Sequence, residues 1–267
     1  DKYGYELWRW TFPVDKLKRE TEQFSASSGR ASYTETEKGI TVKANGRTFV
    51  FSKKDGQLKD VSVNNRKISF ANGPRFIGAR RADRSLDQFY NHDDEKAKAK
   101  DRTYSEFTDA AVFTKLDVKE EGGNLILTAN YKLGNLDKAQ WTIHPDGMAT
   151  LDYTYNFSGV VDLMGICFDY PEEQVLSKRW LGAGPYRVWQ NRIHGTQYNI
   201  WENDYNDPIP GETFTYPEFK GYFGSVSWMS IRTKEGTISL TNETPDSYIG
   251  VYQPRDGRDR LLYTLPE

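Results

Sequence analysis

Cysteine occurs once in this chain, histidine three times and methionine three times. A single thiol excludes an intrachain disulfide and a paired-cysteine zinc site, and leaves the compartment open. Cys167 lies in the apolar run Leu163-Met164-Gly165-Ile166-Cys167-Phe168 with no histidine beside it to activate a nucleophile, so it reads as a small core hydrophobe. No run approaches the roughly 18 apolar residues that span a bilayer, so no membrane partner is expected. The polar start Asp1-Lys2-Tyr3-Gly4 is not a signal peptide and reads as a processed or excised boundary. Neither sign of charge dominates: 36 basic residues stand against 38 acidic ones, a formal charge of −2. That balance supplies no overall field for nucleic acid, and the expected partner is neutral or weakly charged. There is no phosphate loop, no dinucleotide fingerprint after a strand and no His-Glu-x-x-His, which sets aside the reactions those motifs serve. No repeat of solenoid or propeller period is present.

Aromatic residues are plentiful, at 14% of the chain against a modest 37% hydrophobic in all. Each buried ring removes roughly 150–250 Å² from water, so a few rings replace many aliphatics in a core. The 267 residues exceed the usual single-domain size, yet all-β sandwiches of this length form one unit. Residues 40–44, 47–51, 125–131, 151–157 and 226–231 alternate apolar with polar side chains, the mark of half-buried strands. Asp55-Gly56, Asn64-Asn65, Gly122-Gly123-Asn124, Asp146-Gly147 and Glu235-Gly236 lie between such runs and tolerate the positive φ of tight hairpins. The pattern predicts an all-β, antiparallel, many-stranded sandwich.

Two segments interrupt it. Residues 13–39 are polar and read as a connection, so residues 1–37 form an N-terminal extension and linker ahead of a sandwich domain at 38–267. Trp8, Trp10 and Phe12 in the extension are expected to dock on a neighbouring surface. Residues 83–106 are dense in charge and read as an exposed helix or a solvated loop, with a substrate-facing loop as the alternative.

The chemistry concentrates after residue 180. Glycines in Trp180-Leu181-Gly182-Ala183-Gly184-Pro185 allow close approach of neighbouring groups, and an aromatic run through Trp201, Tyr205, Phe214, Tyr216 and Phe219 follows Asn191-Arg192. Among these rings Trp180, Trp189 and Trp201 read as core residues, with one of them free to face a ligand. Carboxylates gather at Glu202, Asp204, Asp207, Glu212 and Glu218. They read either as solvated acids paired with Arg187 or Arg192, or as acceptors for sugar hydroxyls. No cofactor is expected, with oxygen ligation of a calcium ion by this cluster the one metal reading left open. Of the histidines, only His194 is placed for chemistry; His92 sits in the charged segment and His144 precedes a Pro-Asp-Gly turn.

The Trp180–Pro185 motif, Asn191-Arg192, and Tyr216-Pro217-Glu218 leading through Gly221 to a strand at Trp228 together resemble the C-terminal domain of family 2 β-galactosidases. The hairpin around Phe49-Val50-Phe51 and Asp55-Gly56-Gln57-Leu58, and the segment Asn72-Gly73-Pro74-Arg75, extend the likeness over roughly residues 38–265. The resemblance implies a large antiparallel, galactose-mutarotase-like β-supersandwich. It also implies a parent bacterial glycoside hydrolase whose acid/base and nucleophile glutamates belong to a separate TIM barrel. On that reading no catalytic residue lies in this chain, and its partners are a galactoside-like glycan and the other domains of the parent enzyme. Arg187, Asn191, Arg192, His194, Trp201, Glu202 and Glu218 are the expected contacts to sugar or to a neighbouring domain.

The chain departs from the family pattern at Arg187, Trp189 and Asn191, which stand where the family has an acid, a tyrosine and an aspartate. It departs again at Ala79-Arg80-Arg81-Ala82-Asp83-Arg84, and it is expected to end at Leu265-Pro266-Glu267 just before a last strand. Two alternatives remain beside this reading: a stand-alone aldose epimerase using His194 with Glu202 or Glu218, and a passive interdomain sandwich.

Overall fold

Alternating side chains become strands that pair with their neighbours in sequence. A computed structural model describes residues 4, 9, 11, 29–81, 104–108, 110–159, 161, 163–185, 196–204, 222–244, 247–250 and 264–266. The chain opens with β1 (Ser32–Glu35), β2 (Gly39–Ala44), β3 (Arg47–Ser52), β4 (Leu58–Val63), β5 (Arg66–Ile68), β6 (Ala71–Arg81) and β7 (Tyr104–Thr108). A meander of β8 (Val112–Glu121), β9 (Asn124–Lys132), β10 (Leu136–Ile143) and β11 (Ala149–Tyr155) follows, and β12 (Leu163–Asp169) then returns to pair with β6. The first sheet runs β1-β2-β3-β4-β6-β12, with β5 on β4 and β7 on β6, and the meander forms a separate four-stranded sheet. All of these pairings are antiparallel.

The two sheets close on one core. Ile40, Val42, Phe49, Phe51 and Leu58 from the first meet Leu125, Leu127, Trp141 and Ile143 from the second. Period two explains the choice, since alternate residues of β2 and β9 are buried while those between them are more exposed. Phe51 and Phe168 tilt against the Trp141 ring at centroid distances of 6.0 Å each.

The remaining strands build a second layer. β13 (Val175–Gly184) lies between β14 (Gln197–Asp204) and β16 (Trp228–Thr233), and β17 (Gly236–Thr241) completes that sheet. β15 (Tyr222–Gly224), β18 (Ser247–Gly250) and β19 (Thr264–Pro266) form a three-stranded sheet. Between them sits a smaller core of Trp180, Phe223, Val226, Met229 and Ile249. β19 runs beside β12, which links the two halves.

The architecture is the expected all-β antiparallel sandwich. Two sequence readings change in detail. Residues 32–35 are sheet rather than connection, pairing along β2, and Ala31 just before them is buried in the first core. The run 226–231 becomes strand only from Trp228, because Ser225 takes a positive φ and turns the chain while Val226 is buried as a turn residue. Residues 264–266 form a strand paired with β18. The charged segment 83–106 lies outside the described residues except where it enters β7.

Candidate functional site

β13 carries the Trp180–Pro185 motif, and its glycines are needed there for contact with other strands. A Cβ at Gly182 would lie 3.0 Å from the Ser225 oxygen and from the Val226 Cα, so the turn before β16 closes directly on this backbone. A Cβ at Gly184 would lie 2.5 Å from Cδ1 of Trp201. Trp201 is half-buried over that glycine, and its indole N–H donates to the Gly182 carbonyl at 3.2 Å and the Gln197 carbonyl at 3.1 Å. With its donor occupied, Trp201 can offer a ligand only its ring face. Trp180 is fully buried against Phe223 at 4.3 Å between centroids, and its N–H donates to the Ala183 carbonyl at 3.0 Å. The core reading holds for Trp180, and Cys167 is likewise buried.

Arg187, Asn191, Arg192 and His194, which fall in sequence between β13 and β14, and Glu218 lie outside the described residues. Trp201 and Glu202 are therefore the expected site residues whose places are seen. They sit on adjacent β14 positions facing opposite sides of the sheet. Glu202 is exposed, across the ladder from Arg179, and shares its face with Asp204. The N–H of Tyr198 in β14 donates to the Thr11 hydroxyl at 2.6 Å, so the N-terminal extension reaches this outer strand; Trp8, Trp10 and Phe12 are outside the described residues.

Sequence reasoning did not single out Lys178. Its side chain is fully buried; its ammonium donates to the Asp204 carbonyl at 2.8 Å and stands 5.5 Å from the Phe223 ring centroid. The available signal was its place two residues before Trp180, on the same face of the strand. Asn203 is also buried, and its amide donates to the Pro185 carbonyl at 3.3 Å, fixing the chain just before residues 186–195.

A second polar group was missed at the start of β6. Arg75 binds Asp169 with Nη2–Oδ1 at 2.5 Å and Nη1–Oδ2 at 3.4 Å, and Asn72 donates to the same carboxylate at 2.8 Å. Lys59 extends the group, reaching Asn72 at 3.3 Å, Gln57 at 2.7 Å and Asp55 at 2.8 Å. The planar guanidinium and carboxylate match in a two-point contact, and Asp169 holds the Arg75 head in place. His144 is structural where it stands, with Nε2 3.0 Å from the Thr150 hydroxyl across its own turn. Among the described residues no group of three or more His, Cys, Asp or Glu side chains comes together as a metal site.

A family model described as beta galactosidase small chain matches residues 43–251. That span includes the second core, all of the first core but Ala31, Ile40 and Val42, the Trp180–Pro185 motif and residues 186–195. No curated protein matches the chain.

Proposed function

The chain belongs to the β-galactosidase small-chain family, and from that premise we propose that it is the C-terminal accessory domain of a family 2 glycoside hydrolase. On this reading it is a galactose-mutarotase-like module that binds carbohydrate and completes a substrate cleft beside a separate catalytic TIM barrel. The family match across 43–251 carries the proposal. The barrel supplies the acid/base and nucleophile carboxylates, and this chain supplies walls and hydrogen bonds. On this proposal Arg187, Asn191, Arg192 and His194, between β13 and β14 in sequence, donate to sugar hydroxyls, Trp201 offers its ring face beside Gly184, and Glu202 and Glu218 accept from hydroxyls or meet the neighbouring domain. Two features support a stiff base for that segment: the closely packed Gly182 and Gly184, and the buried Asn203 amide on Pro185.

The test is a galactose titration of the full chain followed by tryptophan fluorescence and by the Trp201 indole N–H resonance. Saturable changes in the millimolar range are expected, about 4 kcal/mol of binding. Arg192→Ala should weaken them about tenfold, the loss of roughly one charged hydrogen bond. Signals that stay still with millimolar galactosides would reject carbohydrate binding at this end and favour the passive interdomain sandwich.

A further inference from the structure

The net charge of −2 conceals a local concentration of the opposite sign. At the end of the first sheet, well away in sequence from the β13–β14 segment, a cavity of about 320 Å³ is lined by Arg30, Lys43, Arg47, Asn45, Asn64 and Asn65 among others. Among the described residues no carboxylate lines it. Elsewhere on the described surface Lys53, Lys59, Lys67, Lys115 and Lys119 each pair with an acid, while Lys38, Lys54, Arg66, Lys132 and Lys138 stand singly rather than around a common cavity. Among the described residues neither Arg30, Lys43 nor Arg47 forms an ion pair, so the cavity holds three uncompensated cations.

Its walls are held in place. Asn45-Gly46 and Asn64-Asn65 are two-residue turns with positive φ at each position, the hairpin geometry that asparagine and glycine favour. They are locked together by the Asn64 N–H, which donates to the Gly46 carbonyl at 2.7 Å. The turn at Asp146 braces two lining side chains: its carbonyl accepts from Arg47 Nη1 at 2.7 Å and from the Asn45 amide at 2.9 Å. The Asp146 carboxylate is engaged within its own turn, accepting the Met148 N–H at 2.8 Å. Arg47 keeps further N–H donors, and the Asn64 and Asn65 amides add both donors and acceptors. The volume lies at the small end of the roughly 300–1,000 Å³ typical of ligand pockets.

We propose that this cavity is a second ligand site that takes an anionic sugar, a pyranose bearing a carboxylate or a sulfate ester. The cations bind the oxyanion, and the turn asparagines bind ring hydroxyls. The sugar half of the assignment rests on the carbohydrate-binding reading above, whereas the anion half rests on the cavity alone. It also refines the expectation of a neutral partner drawn from net charge, which averages over acids and bases that do not share a surface.

The experiment titrates the full chain with galactose, galacturonate, galactose 6-sulfate and inorganic sulfate, following the backbone amides of Gly46 and Asn65 by NMR. Galacturonate or galactose 6-sulfate should bind there at least tenfold tighter than galactose, the stronger of the two naming the anion. The advantage should shrink as ionic strength rises from about 0.01 M to about 0.1 M, where the screening length falls from about 30 Å to about 10 Å. The double variant Arg30→Gln, Lys43→Gln should abolish it without moving the thermal midpoint, because both side chains are exposed and neither makes an ion pair. Anionic sugars that bind no tighter than galactose, or that bind the double variant unchanged, would overturn the site. Inorganic sulfate binding as tightly as galactose 6-sulfate would overturn the sugar assignment. Galactose 6-sulfate shifting Gly46 and Asn65 while galactose leaves Trp201 unmoved would reject the reading of the β13–β14 end and support this site independently.

Discussion

One methyl group added at Gly184 would place a carbon 2.5 Å from the Trp201 ring, and that ring has little freedom to give way because two backbone carbonyls hold its N–H. Gly184→Ala is therefore expected to cost about 1–3 kcal/mol, the usual range for an overpacked site. Urea denaturation measures it, and the emission of Trp201 should shift with it; an unchanged midpoint would mean that the ring moves freely. This position also marks what a reader of the sequence can and cannot know. That glycines in Trp180–Pro185 permit close approach was legible from residue type alone. Which groups approach was not, because Trp201 and the Ser225 turn reach β13 through pairing with strands distant in sequence. The sequence offered only a spacing hint for Lys178, its place two residues before Trp180: a lysine in a strand ordinarily faces water, and its burial depends on Phe223 and Asp204 arriving from other segments.

At the scale of elements, the β16–β17 hairpin does more than reverse the chain. Glu235 in its turn accepts the Ser69 N–H at 2.9 Å, the Ser69 hydroxyl at 2.7 Å and the Tyr170 hydroxyl at 2.8 Å, tying the second sheet system to the first. Burial would raise the Glu235 pKa, but the Ser69 and Tyr170 hydrogen bonds and the nearby Lys67 charge outweigh it and hold the carboxyl below its usual value of 4.5. Burial and the same carboxylate push the Tyr170 hydroxyl up to about 12, so it stays a donor at neutral pH.

The sign of the linkage follows. A depressed carboxyl pKa means that the unfolded state binds the proton first, so the contribution is present above pH 4.5 and is lost as pH falls through the lower folded value. Glu235→Gln should cost about 1 kcal/mol at neutral pH, and the gap between the two proteins should close as pH falls below that window. Parallel melting curves at pH 7 and in acid measure this; a gap that does not change with pH would remove the charge from the account. The sequence marked Glu235-Gly236 as a turn because glycine there suits a tight reversal. The joint to Ser69, 166 positions away in sequence, needed the tertiary structure.

For the whole molecule, alternation and turn residues were enough to reach the all-β antiparallel class, because each hairpin is a local decision. The division into two cores was not legible, since it depends on which sheets face one another. The β-galactosidase relationship was legible in a few motif residues and is carried by the family match over 43–251. Of the residues proposed to bind, Arg187, Asn191, Arg192, His194 and Glu218 lie outside the described residues. What the described strands supply is the support: β13 and β14, paired and packed on the second core, flank in sequence the segment that carries four of them.

The central claim is that this chain completes a β-galactosidase rather than acting alone, and hydrolysis of a nitrophenyl galactoside tests it most directly. The account predicts no turnover by the chain itself, and a gain in turnover when it is added to the catalytic barrel portion of its parent enzyme. Turnover by the chain alone, or a barrel portion equally active with and without it, would contradict the account.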